Sequence, residues 1–365
     1  MTDESFTVLA SFDLRGPLII LGTFTILLVT AEIWARLGAK PEWTRKLVHL
    51  GGGLIGLALP WLIESPWVVL ILTASLSALF LLGERLDVMK SLHKVERKTR
   101  GSEYYPLAIW LVFVIAADRK WLYVAAVLTL AVADAFAAII GSSYGKHRYE
   151  VEDEFKSVEG SLACFVVAFV VNVLPMLFMT TLPRAVCVLS ALLVAILVTL
   201  FEAISLRGTD NLFVPIAVVF VLQKITTKTP MHIAMQNVAL IVIVALMLLL
   251  AHRIAWFNIG GTLTLTLFLY AAWSLAPRLL YVIPAFIALG VLVVIRVIMR
   301  IGGERRRLKV RAATRALMLP FLFLLAANLS GQFDRFYPWY LAALAVVFVY
   351  AFISGVRRRP SSHPS

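Results

Sequence analysis

The stretch "VADAFAAIIGSSYGKHR", residues 132–148, decides how the chain is read. It opens as an apolar run, places Asp134 among alanines and ends in Gly141-Ser-Ser-Tyr-Gly145-Lys146. The run it belongs to begins near residue 120. At 1.5 Å per residue it is long enough to cross the roughly 30 Å hydrocarbon core of a bilayer. A carboxylate inside a spanning helix is costly and usually faces a cavity, a partner or an ion. Asp134 and Gly141 are seven residues apart, about 10 Å of helix, so they share a face, with Ala138 between them. That face is small and acidic, and it suits a ligand or a metal ion. A helix–helix contact with Asp134 hydrogen-bonded to a neighbour is the competing reading.

The rest of the chain agrees with a membrane assignment. Of 365 residues 61% are hydrophobic and 15% are charged, against about 25% charged in soluble domains. The mean hydropathy is +0.90. About thirteen apolar segments are predicted, at 17–37, 47–63, 66–83, 104–117, 120–141, 160–182, 184–206, 211–225, 232–251, 258–276, 279–298, 312–329 and 338–355. The expected fold is therefore all-α, a polytopic transmembrane helical bundle of about 13 spans. Strand-like alternation between turn signals is absent, which argues against an outer-membrane barrel. Two regions are expected, a catalytic one over 1–225 and a further transmembrane one over 226–365.

The net charge is +13. Basic residues are not interleaved with aromatics as in a nucleic-acid groove, so nucleic acid is not an expected partner. They fit cytoplasmic loops facing anionic lipid instead. Arg36, Lys40, Arg45 and Lys46 fall in one connection, and six Lys/Arg fall between Gly83 and Glu103. The run "RIGGERRRLKVR" and the tail Arg357–Arg359 complete the set. With the acidic N-terminus outside, all four basic groups share the cytoplasmic side and the C-terminus is cytoplasmic. Residues 84–100 read as an interfacial helix with Leu86, Met89, Leu92 and Val95 on one face, or as a solvated basic loop. Residues 148–154, "RYEVEDE", read as a solvated hinge. Cys164 and Cys187 form no C-x-x-C pair, so neither a disulfide frame nor a metal knuckle is expected.

Four polar pieces are expected on that same face. "GSSYGK" frees backbone N–H groups to converge and adds Lys146, a phosphate cradle in outline. It is not a nucleotide-binding P-loop, which needs four residues between the glycines and Ser or Thr after the lysine. Lys156, Ser157, Glu159, Gly160 and Ser161 stand where the sixth apolar run starts, and a helix N-terminus suits phosphate. Ser157 is also a plausible cap. With a nucleotide present, Glu159 and Asp134 could share Mg²⁺, which takes one or two carboxylates plus phosphate oxygens and water. Glu202 ends the seventh run, and Asp210 and Asn211 open the eighth. Arg45, Lys46 and His49 share one helical face by their spacings of three and four.

The patterns E-x-x-R-K-x-x-H (Glu42–His49), D-A-x-A-x-x-x-G-x-x-x-G-K (Asp134–Lys146), K-S-x-E-G-S (Lys156–Ser161) and E…D-N (Glu202, Asp210, Asn211) occur in that order, with "RGSEYYPL" after the first. Over roughly residues 30–225 the chain resembles the polyprenol kinase family, which includes phytol kinase, dolichol kinase and the CTP-dependent diacylglycerol kinase. The resemblance implies transfer of a phosphoryl group from a nucleotide, CTP, to the hydroxyl of a membrane lipid alcohol, with Mg²⁺. On that reading Asp134, Lys156, Glu159, Asp210 and Glu202 are the catalytic candidates, and Asp134 and Glu159 hold the metal. Asp210, with Glu202 behind it, is the base or a second metal group. Gly141, Gly145, Lys146, Ser157, Gly160, Ser161, Arg45, Lys46, His49 and Asn211 bind the nucleotide. The expected setting is a bacterial inner membrane with the active site on the cytoplasmic face.

Two other functions fit parts of the pattern. A related cytidylyltransferase would move CMP onto a lipid phosphate and release pyrophosphate. A transporter would use Asp134 as an ion site and needs charged or broken helices in both halves. The second half has no counterpart of Asp134.

Overall fold

A computed structural model describes residues 14–85, 101–152, 154–206, 208–254, 258–277, 279–301 and 309–356. The interfacial helix expected over 84–100 falls almost wholly outside them, as do the acidic N-terminus and the basic tail. The chain forms two compact units. One comprises Met1–His147 and Ser157–Ile233, the other Arg148–Lys156 and Ala234–Ser365.

The first unit is helical. Its elements are α1 (Arg15–Arg36), α2 (Pro41–Gly56), α3 (Leu59–Leu62), α4 (Pro66–Arg85), α5 (Gly101–Ala116) and α6 (Lys120–Leu128). A π-helical turn (Thr129–Ala133) then leads into α7 (Asp134–Tyr144). After the excursion of residues 148–156 follow α8 (Val158–Met179), α9 (Arg184–Ile204) and α10 (Asp210–Ile225). With 22 residues, α8 is about 33 Å long, enough to span. Ser157 starts it by accepting a hydrogen bond from Gly160 N at 3.1 Å. The core gathers Ala108, Val112, Leu122, Tyr123, Ala126, Ala168, Ala191, Ala195, Val218 and Leu222, all buried. So many alanines let helix backbones approach closely, the usual basis of helix packing in lipid.

Among the described residues, six helices are long and apolar enough to cross a membrane, including the continuous Lys120–Tyr144, and four shorter apolar helices accompany them. This is an integral membrane protein of the all-α class. The run predicted at 47–63 is divided into α2 and α3. Pro60 sits at the start of α3, and α2 carries Arg45, Lys46 and His49 within its first nine residues.

The second unit holds the hairpin β1 (Arg148–Val151) and β2 (Glu154–Ser157, whose last residue returns to the first unit). It also holds most of α11 (Pro230–Arg253), then α12 (Ile259–Leu275), α13 (Val282–Ile301), α14 (Val310–Ser330) and α15 (Phe333–Val356). The hairpin corrects the expectation of a solvated hinge at 148–154. Val151 is 0% and Glu152 4% exposed. Val151 packs on Gly260 of α12, and Glu152 accepts a hydrogen bond from Arg311 N of α14 at 2.7 Å. Alternation of Tyr149, Val151 and Phe155 with charged residues is a strand pattern. It was too short to stand out beside the surrounding acidic residues.

A three-carboxylate site in the first unit

The site begins with the π turn. A π turn holds an extra residue relative to the α-helical pitch and is frequent at functional sites. Here it immediately precedes Asp134. Lys46 of α2 places its Nζ 2.8 Å from Asp134 Oδ2, and Lys46 is only 7% exposed. His49 Nε2 lies 3.1 Å from the same oxygen and 3.1 Å from Leu130 O in the π turn. Both partners accept, so Nε2 carries a proton. Arg45 adds positive charge to the surroundings of Asp134. The face predicted for Arg45, Lys46 and His49 therefore meets the carboxylate it was paired with only by order in the sequence.

Tyr105 of α5 holds that face in place. Its hydroxyl donates to His49 O at 2.9 Å, and its ring lies 4.5 Å from the His49 ring at 60°. Gly53 permits this approach, because a Cβ there would meet Tyr105 Oη at 2.5 Å. Sequence reasoning quoted Tyr105 in a motif without a role. An aromatic hydroxyl beside an apolar run was the available signal.

Two more carboxylates converge on Asp134. Ligand oxygens of Asp134, Glu202 and Asp210 lie within 4.8 Å of one another. They come from α7, the end of α9 and the first residue of α10. The small cavity between them is lined by Thr129, Leu130, Ala133, Cys164, Val198, Asn211 and Val214 as well. Asn211 Nδ2 donates to Gly101 O at 3.2 Å, which ties the first residue of α5 to the start of α10. Asp210 Oδ1 is buried with no hydrogen-bond partner. A buried carboxylate oxygen lacking a donor, beside two further carboxylates, is unfavourable until a cation or proton joins it.

That donor set fits a hard divalent cation. Such ions take oxygen ligands, and around Mg²⁺ at about 2.1 Å the ligands lie roughly 3–4 Å apart. The oxygens need only a slight closure. Glu159, expected to share the metal, does not belong to the acidic group. His147 Nδ1 lies 2.7 Å from Glu159 Oε1, and His147 N donates to Glu159 Oε1 at 3.1 Å. Glu159 thus closes the loop that carries Lys146.

The glycines expected to bind phosphate have a visible packing role. A Cβ on Gly160 would lie 2.8 Å from Ala137 O and 3.0 Å from Gly141 Cα. A Cβ on Gly145 would lie 2.8 Å from Ser157 Oγ. Gly160 lets the start of α8 touch α7 backbone to backbone, and Gly145 makes room for the Ser157 side chain. Lys146 is exposed. Lys156 lies on β2, within the second unit, and Ser161 is half-buried in the first turn of α8.

The chain is 34% identical over 191 residues to the phytol kinase of Synechocystis sp., a match covering 52% of this chain and 82% of the relative. It belongs to the phytol and polyprenol kinase family. No protein-family profile matches the chain. No solved structure matches it. Nearly half of the chain lies outside the match with its relative. The four motifs of the resemblance lie within residues 42–211.

Proposed function

We propose that this protein is an integral-membrane kinase that transfers the terminal phosphoryl group of a nucleotide to the hydroxyl of a lipid alcohol. The convergence of Asp134, Glu202 and Asp210 from three helices, with Asp210 Oδ1 left without a donor, carries the reading. Kinship with a phytol kinase supports the substrate class, an alcohol of the phytol, polyprenol or diacylglycerol type. CTP is the donor on the family resemblance, and Mg²⁺ the metal on the donor set.

Phosphoryl transfer asks a protein mainly for positioning and charge neutralisation. Asp134, Glu202 and Asp210 would hold Mg²⁺, which when bound offsets the charge of the phosphate oxygens. Lys46 fixes Asp134 in one orientation and offsets its charge. His49, its proton directed at Asp134 and Leu130 O, completes that wall. Asp210 is also the candidate to orient the alcohol and accept its proton. The alcohol oxygen then bonds to phosphorus, the bond to the departing nucleoside diphosphate breaks, and the proton passes from the carboxylate to water. Lys146 and the N-terminus of α8 are the candidate phosphate contacts within the first unit, on the cytoplasmic face of an inner membrane.

Purified protein, a panel of lipid alcohols, Mg²⁺ and either CTP or ATP test the proposal. A lipid monophosphate and one nucleoside diphosphate should form in equal amounts, and EDTA should abolish both. Release of pyrophosphate instead would overturn the kinase reading in favour of cytidylyl transfer. Full activity in Asp134→Asn would remove the site.

A further inference from the structure

One polar pair below the carboxylates has no part in the mechanism above. Asn172 lies on α8, 0% exposed in a spanning helix. It is 14 residues past the helix start, about 21 Å along the axis. A primary amide at that depth is costly unless its groups are bonded. Its Nδ2 donates to Thr129 Oγ1 at 2.8 Å and to Ala168 O at 2.7 Å, while its Oδ1 is buried with no hydrogen-bond partner, so the amide is held there by its donor side alone. Thr129 is the first residue of the π turn and lines the carboxylate cavity. Its own hydroxyl donates to Ala125 O at 2.8 Å. The hydroxyl proton and an oxygen lone pair are therefore both committed, and Thr129 is held in one orientation.

We propose that Asn172 is a positioning residue for the three-carboxylate site, acting through Thr129 on the π turn. The proposal rests on the kinase reading for its function and on geometry for its structure. Asn172 anchors the turn from α8, across a different face than His49, which anchors it from α2 at Leu130 O. Loss of the extra residue per turn would rotate Asp134 about the helix axis by roughly a quarter turn. That rotation would carry Asp134 away from Glu202 and Asp210. The amide in mid-membrane thus fixes the direction in which a carboxylate several ångströms away points.

Thr129→Val is nearly isosteric and removes the acceptor. Asn172→Leu removes the donor, and Thr129→Ser retains the hydroxyl. The full-length protein in nanodiscs is examined in each form, with thermal melting to verify the fold. Mn²⁺ alone serves as a paramagnetic probe of the site. Selective ¹⁵N-histidine labelling reports solvent exchange of the His49 Nε2 proton. Thr129→Val and Asn172→Leu should weaken Mn²⁺ binding about 10-fold, as for other residues that orient metal ligands. They should lower kcat at unchanged lipid KM and speed exchange of the His49 proton. Thr129→Ser should match the parent. Unchanged His49 exchange and Mn²⁺ affinity in both disruptive variants would overturn the proposal. If the parent binds Mn²⁺ and the variants shift as stated, but no lipid alcohol is phosphorylated, only the kinase reading fails.

Discussion

At the residue scale the decisive interaction is the pair Lys46–Asp134. Both are withdrawn from solvent in a helical membrane unit, and each makes the other's charge tolerable. Removing one partner of a buried pair commonly costs about 3–5 kcal/mol, whereas replacing both with apolar groups is often neutral. Lys46→Met alone should therefore lower the melting temperature. Lys46→Met with Asp134→Leu should recover most of that stability while phosphoryl transfer stays absent. Differential scanning calorimetry in detergent, paired with lipid phosphate formation, checks both halves. If the double variant is no more stable than Lys46→Met alone, the pair is not an energetic unit. The carboxylates make a further prediction. Asp210→Asn keeps the side-chain volume but removes a charge, so Mn²⁺ affinity should fall by at least about 10-fold, as titration of the purified protein would show. Asp134 was legible from the sequence because a charge among alanines is conspicuous. Glu202 and Asp210 were expected beside it only through the family resemblance, because the three carboxylates meet through tertiary packing rather than through any spacing along the chain.

At the element scale the close contact is between α7 and the first turn of α8. Gly141, Gly145 and Gly160 read in the sequence as backbone free to wrap phosphate. The structure shows the same lack of a Cβ used for backbone contact. A glycine string satisfies both patterns, so spacing alone could not distinguish them. Gly160→Ala places a methyl group against backbone atoms Ala137 O and Gly141 Cα, which cannot swing aside. It should destabilise the unit by about 1–3 kcal/mol, the usual range for overpacking. Gly22→Ala in α1 meets nothing within 4 Å, and the gain in helix propensity is about 0.5–1 kcal/mol. The two variants should therefore shift the melting temperature in opposite directions. Equal shifts would mean that the α7–α8 contact is looser than these distances indicate. The helices themselves were legible because hydropathy depends on composition. The division of 47–63 was not, because the polar half of α2 is buried by pairing with Asp134 rather than by being apolar.

At the scale of the whole molecule, the chain leaves the first unit after His147 and returns at Ser157, and the segment between packs within the second unit. Charge made that segment look solvated, yet Glu152 is buried and adopts φ 57°, a left-handed backbone uncommon outside glycine. The start of α14 explains its burial. Lys309, at the cap position, makes no side-chain cap bond, and the Glu152 carboxylate takes its place by accepting from Arg311 N. A negative charge at a helix N-terminus is favourable, and loss of a cap typically costs about 0.5–2 kcal/mol. Glu152→Ala should therefore raise hydrogen exchange at the hairpin and in the first turn of α14, by roughly 2- to 30-fold for that range. Glu152→Gln keeps an acceptor oxygen and should show a smaller rise. The carboxylate site draws on residues between Lys46 and Asp210 of the first unit, so its Mn²⁺ affinity should stay unchanged in both variants. Exchange that rises equally in the two variants would assign the effect to loss of charge. No rise in either would show that the hairpin is held by Val151 against Gly260 and not by the cap.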